Sequence, residues 1–333
     1  MKTGRNDLCP RGSGKTYKQC CYGKESGGSQ EAGPAGIFDE LRQLIQGKDF
    51  GSLREAQAFV GWHMGQKNRA PLDDFEGLSP EQMSRFLHHP FSSPDLATFP
   101  ERLATPPVAP IVRLFDLLAA ALREKGLKTT ATGNLPLNFV RETARLFLKE
   151  EERTVHRGMR SEIDFFDLHV TRLVRGLAGL TRKQRDRFVL TRECRKLMEH
   201  DGMAAVYPLL FRAFVEEYNW AYRDRYPSFG IIQQSFLFSL WLFNRFGDAW
   251  RAPSLYEDCF LRAFPMILGE AGSERSYTTP EKAVRSCYAW RCLEGFAVFL
   301  GLMDIEWESS GVLDRHLTVR KSRLLNEVVA FHL

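Results

Sequence analysis

Residues 180–191, Leu180-Thr181-Arg182-Lys183-Gln184-Arg185-Asp186-Arg187-Phe188-Val189-Leu190-Thr191, decide what kind of helical protein this chain makes. Threonine and leucine open the run, Phe188-Val189-Leu190 close it, and the polar middle from Gln184 to Asp186 has the composition of a tight reversal, so the stretch predicts a hairpin. Just upstream, Ile163, Phe166, Val170, Leu173 and Leu177 recur at helical spacing, and Gly179 stops that helix. Downstream, TRECRKLMEH at 191–200 returns to helix. A plain bundle has no place for such a ribbon between two helices.

The same order of helix, short ribbon and helix recurs on either side. Ile111, Leu114, Leu118 and Leu122 make a helical stripe ended by Gly126; LKTTATGNLP follows, then a helix carrying Phe139, Val140, Thr143 and Phe147. Near the C-terminus, Thr279-Pro280-Glu281 opens a helix that Gly301 ends. There Met303, Ile305 and Trp307 alternate with Asp304, Glu306 and Glu308, the period of a half-buried strand, with Leu317 and Val319 as its partner and Ser322 capping a last helix. Helix, hairpin and helix in this order resemble winged-helix modules. Residues 203–269 are densely apolar and aromatic, as buried helices are, and their rings at helical spacing read as packing rather than as a cofactor box. IFDELRQLIQG and SLREAQAFVGWHMGQ predict two earlier amphipathic helices, and Ser79-Pro80-Glu81-Gln82 a third with a capping box. His88 and His89 close that third helix and read as terminal residues rather than a metal pair. The fold class expected is mainly α: a helical bundle with winged-helix-like units built on short β-hairpins, plus a small knuckle-like N-terminal tail. The boundaries expected are a tail at 1–24, a linker at 25–36, a helical region at 37–104, two winged-helix-like units at 105–230, and a helical region at 231–333 ending in the third unit.

Charge is unevenly placed. The chain has 46 Lys and Arg against 41 Asp and Glu, a net charge of +5. Residues 1–24 hold six of the cations and one acid, so the remainder is balanced. Attraction to anionic partners therefore concentrates in the tail, and residues 25–36, ESGGSQEAGPAG, have the composition of a flexible linker. Within the balanced remainder, Arg182, Lys183, Arg185, Arg187, Arg192 and Lys196, with Arg195, form one basic cluster suited to phosphate contact. A solvated hairpin edge that resists strand-to-strand aggregation needs the same charges. The third ribbon carries acids and would repel a nucleic-acid backbone.

The tail segment CPRGSGKTYKQCC, residues 9–21, contains GSGKT, yet it is no nucleotide loop. A P-loop requires glycine five residues before Gly14, where Cys9 stands, and no apolar strand precedes it. The longer run GRNDLCPRGSGKTYKQCC resembles the SEC-C motif, the short zinc-binding segment best known from the tail of the bacterial secretion ATPase SecA. That resemblance implies zinc held by Cys9, Cys20 and Cys21, with Arg11 at the second ligand position, where a guanidinium cannot ligate. The fourth donor is then water, Asp7 or a distant side chain; the competing reading leaves three free thiols in a flexible tail. A peptide this short needs such a staple, because it cannot bury enough apolar surface to fold alone. The stretch PLDDFEGLSPEQMSRFL and the later GNLP resemble a bacterial protein group that carries a SEC-C tail and brings no established activity.

Seven cysteines without disulfide-scaffold density, no apolar run of membrane-spanning length and no signal peptide imply a reducing cytoplasm. Cys194, Cys259, Cys287 and Cys292 read as small core residues. No HExxH, GxSxG or glycine-rich dinucleotide turn is present, so no enzyme is expected. The expected function is that of a non-catalytic adaptor whose tail, with Lys15 and Lys18, engages a protein or ribosomal partner. The alternative is nucleic-acid binding through Arg182 to Lys196.

Overall fold

The computed structural model describes residues 41–148, 158–222, 224, 226, 227, 229–271, 278–309 and 315–333. The chain divides into two units, 1–68 and 69–333. In the first, residues 41–45 are helical and α1 spans Leu53–Arg69. Phe50 packs on Phe59 with ring centroids 5.6 Å apart, and Lys48 Nζ sits 3.7 Å over the same ring.

The second unit is mainly helical with small antiparallel sheets. Its elements run α2 (Pro80–His88), β1 (Ala97–Thr98), α3 (Pro110–Leu122), β2 (Leu127–Lys128), α4 (Leu137–Phe147), α5 (Phe166–Leu177), β3 (Thr181–Gln184), β4 (Arg187–Leu190), α6 (Arg192–His200) and α7 (Met203–Glu216). After these come α8 (Gly230–Gln234), α9 (Phe236–Phe246), α10 (Pro253–Ala263), α11 (Ile267–Glu270) and α12 (Pro280–Tyr288), which continues as π-helix over Ala289–Val298. The hairpin β5 (Met303–Ser309) and β6 (Arg315–Lys321), then α13 (Arg323–Val328) and β7 (Ala330–Phe331), complete it.

The helix starts follow their capping residues. Ser79 Oγ accepts from Gln82 N while Gln82 Oε1 accepts from Ser79 N, the reciprocal box that the sequence spelled out. Thr191, Thr279 and Ser322 cap α6, α12 and α13 singly, their hydroxyls accepting from Cys194 N, Lys282 N and Leu324 N. Ile111, Leu114, Leu118 and Leu122 on α3 are all fully buried. The aromatic run forms the centre of the core: the Phe296 ring lies 4.7 Å from Trp220 and 6.1 Å from Phe214, and Tyr207 Oη donates to Leu300 O at 2.8 Å.

Three expectations change. The ribbon after α3 does not close on itself. Its two-residue strand β2 pairs with β4, Leu127 opposite Phe188 and Lys128 opposite Arg187, giving one three-stranded sheet in the order β2-β4-β3. Gly126 makes this possible: its φ is +69°, and a Cβ there would meet Phe188 O at 2.5 Å. Second, α5 is buried more widely than the expected stripe, of which Val170 is buried and Phe166 and Leu173 pack against the core. The helix buries Leu168, His169, Val170, Thr171, Val174 and Arg175, while Leu177 is exposed. A 3₁₀ turn at Glu162–Asp164 breaks the period before α5 begins, and α3 and α7 both pack on the helix. Third, the cover over the apolar face of β5 fades along the strand: Met303 is buried and Ile305 half-buried against the core, but Trp307 is 56 % exposed.

Candidate functional site

The hairpin β3–β4 turns at Arg185 and Asp186, as its composition requires, with Thr181 opposite Leu190 and Gln184 opposite Arg187. Arg185 takes a left-handed φ of 57°, an uncommon conformation for a bulky residue. Arg182, Lys183 and Arg185 are exposed, and among the described residues their side chains have no ionic or hydrogen-bond partner. Arg192 and Lys196 are exposed on α6. The other two cations have work inside the fold. Arg187 Nη1 donates to Lys125 O and Gly126 O at 3.1 and 3.0 Å, and Arg195 Nη1 donates to Arg123 O at 2.9 Å. These carbonyls follow the C-terminal end of α3, where a helix is most receptive to positive charge. The sequence cluster is thus a group of five outward cations with Arg187 and Arg195 turned toward the backbone.

Beneath the hairpin lies a buried ionic network that sequence reasoning missed. Glu162 is 2 % exposed. Its Oε1 accepts from His169 Nδ1 at 2.6 Å and from Arg172 Nε, and its Oε2 accepts from Leu135 N. The other ring nitrogen, Nε2, lies 3.3 Å from Tyr222 Oη. Burial pushes the Glu162 carboxyl upward, but the bonds from His169, Leu135 and Arg172, together with the Arg172 charge, hold it below the ordinary carboxylate range. Three residues further on, Arg175 is fully buried; its Nη1 donates to Thr181 Oγ1, and its Cζ lies 4.6 Å from the Phe188 ring centre. The available signal was His169, Arg172 and Arg175 at intervals of three, polar residues set into the cleanest apolar helix of the chain.

Cys9, Cys20, Cys21, Lys15 and Lys18 lie outside the described residues. Among the described residues no group of three or more His, Cys, Asp or Glu could hold a metal ion. His88 closes α2 with its Nδ1 3.3 Å from Gln234 Nε2. Cys194, Cys259, Cys287 and Cys292 are buried free thiols, pushed up by burial to about 11 for Cys194 and about 12 for the other three. No helix among the described residues is long and apolar enough to cross a membrane.

Residues 5–23 match the SEC-C motif. That motif is of the zinc-binding type. No curated protein and no solved structure matches the chain.

Proposed function

We propose that the protein is a non-catalytic cytoplasmic adaptor whose basic SEC-C tail binds zinc and engages a protein or ribosomal partner. The match at residues 5–23 carries this reading. Cys9, Cys20 and Cys21 supply three thiolates of the kind structural zinc sites use, and Lys15 and Lys18 lie between them, where positive charge favours the deprotonated thiols. Arg11 does not fit the metal, so the donor set is that of an open site with water, Asp7 or a distant side chain in the fourth position.

The body fits a scaffold better than a sequence reader. The order α3, β2, α4, α5, β3 and β4, with its sheet order β2-β4-β3, supports a winged-helix-like reading with one unit in place of the expected two. In helix-turn-helix relatives of that arrangement the last helix enters the major groove. Here that helix, α5, buries six of its twelve residues, and its exposed positions, Asp167, Gly176 and Leu177, carry no cation or amide for reading bases.

The test is zinc per chain by elemental analysis, in wild type and in Arg11→Cys. Zinc near one per chain in both supports the open site; zinc in the variant alone points to a knuckle that has lost its metal, and zinc in neither sinks the assignment. Ribosome co-sedimentation that is unchanged on deleting residues 1–24 counts against a ribosomal partner for the tail. A second reading, nucleic-acid contact by the hairpin, is favoured by the partnerless Arg182, Lys183 and Arg185. It requires affinity that falls steeply with salt and is lost on Arg182→Glu with Arg185→Glu; binding indifferent to both changes rules it out.

A further inference from the structure

The end of α5 holds a positive charge that, among the described residues, has no carboxylate bonded to it. Arg175 has no exposed surface, yet its Nε and Nη2 have no hydrogen-bond partner. Thr181 Oγ1 takes one of its donors and Phe188 covers one face, but neither carries charge. The nearby carboxylate, Glu162, is already occupied by His169, Arg172 and Leu135 N–H. A guanidinium buried without a counter-ion is costly, and natural folds keep few of them without a reason outside packing. Burial lowers its pKa to about 9, so it stays cationic at neutral pH.

Arg175 forms part of the wall of a cavity of about 380 Å³ between α5, the hairpin and the segment after α7. Arg172, Arg182 and Lys183 line the same space, and Glu217 is the one acid in the wall. Arg172 is paired with Glu162, so three cations, Arg175, Arg182 and Lys183, face the one carboxylate of the wall. Arg182 and Lys183 enter with free side chains, while Arg175 beneath them adds a fixed charge in a low-dielectric floor, where it acts more strongly than at the surface. Apart from Thr181 and Asn219, the rest of the lining is apolar or aromatic, with Phe188, Tyr218 and Tyr222 among it. The volume lies at the small end of the range for pockets that take one organic molecule.

We propose that this cavity binds a small phosphate monoester, its dianionic group held by Arg182 and Lys183 above Arg175 and its apolar or aromatic body against Phe188, Tyr218 and Tyr222. This assignment is independent of the zinc tail. It also differs from polynucleotide contact by the hairpin, since Arg185 at the turn is outside the cavity lining.

The probes are phenyl phosphate and inorganic phosphate, titrated by calorimetry into the purified full chain at neutral pH and low salt. Phenyl phosphate is expected to bind saturably, one per chain, and about tenfold or more tighter than inorganic phosphate. Lys183→Gln, an exposed change without structural cost, and Arg175→Met are each expected to weaken it about tenfold or more. Arg185→Gln is expected to leave it unchanged. Without ligand, Arg175→Met is expected to melt at or above the wild-type temperature, because a hydrophobe of similar volume replaces an uncompensated charge. Absence of saturable binding, unchanged affinity in Lys183→Gln, or a marked fall in the melting temperature of Arg175→Met would overturn the proposal. Equal affinity for the two probes would overturn the apolar half of it. Loss of binding in Arg185→Gln would transfer the anion to the hairpin surface and refute the cavity.

Discussion

Replacing Glu162 by Gln tests whether the buried network organises the region around the hairpin. Three donors converge on this carboxylate from α5 and from Leu135: the His169 ring, the Arg172 guanidinium and a backbone N–H. Bonds to a charged acceptor contribute roughly 1.5–3 kcal/mol each, against several kcal/mol for removing the carboxylate from water. Deleting one partner of a buried pair costs about 3–5 kcal/mol because the other charge stays behind. The Arg172 side chain keeps 14 % of its surface and Gln retains one acceptor, so the low end applies, about 3 kcal/mol. For a body of this size that corresponds to a fall of roughly 6–12 °C in melting temperature. The assay is urea unfolding at pH 7 followed by tryptophan fluorescence, with the series repeated toward acid. The folded-state pKa of Glu162 lies below its unfolded value, so its contribution is complete above about pH 4.3 and disappears as pH falls through the folded value. The gap between wild type and Glu162→Gln should therefore close on acidification. A pH 7 difference under about 0.5 kcal/mol, the level of an ordinary surface change, would refute the reasoning.

Two further outcomes are expected. Gly301 has φ +73°, and a Cβ there would lie 2.7 Å from Ala109 Cβ and 2.8 Å from Val108 O, so Gly301→Ala should cost about 2–5 kcal/mol from backbone strain and overpacking combined; a loss below about 1 kcal/mol in the same urea assay contradicts it. With a chelator present, a maleimide should label the folded chain at Cys9, Cys20 and Cys21 and spare Cys194, Cys259, Cys287 and Cys292, whose thiols are buried and raised. Mass-spectrometric mapping that finds any of these four modified before unfolding refutes the burial argument.

What the sequence made legible is local chemistry. Ser79, Thr191, Thr279 and Ser322 announced four helix starts because a cap is settled within three residues. The β3–β4 turn was readable for the same reason. The partner of β2 was not: two residues carry no period, and the strand they join begins about sixty positions later. The extent of burial on α5 was not legible, because apolar spacing marks one face, whereas this helix is enclosed on several sides and accepts His169 and Arg175 into its buried surface. Glu162 stayed hidden because its role depends on donors gathered from Leu135 and from two later turns. The basic cluster was found as a composition, but its division into outward charges and Arg187 with Arg195, bonded to carbonyls, depends on where α3 ends.

The short sheet of β1 and β7 has a consequence for biosynthesis. Ala97 pairs with Phe331, and Thr98 Oγ1 meets His332 Nε2 across 234 positions. Phe331 also lies against Phe86 and Trp241, at 6.0 and 5.3 Å between ring centres. At elongation rates of roughly 5–20 residues per second, the nascent chain waits about 10–50 s between releasing the first strand and releasing its mate. Over that interval the Phe86 ring and a bare strand edge, joined by the Trp241 ring for about the last 90 residues, stand open on the ribosome as a defined patch for a chaperone to shield.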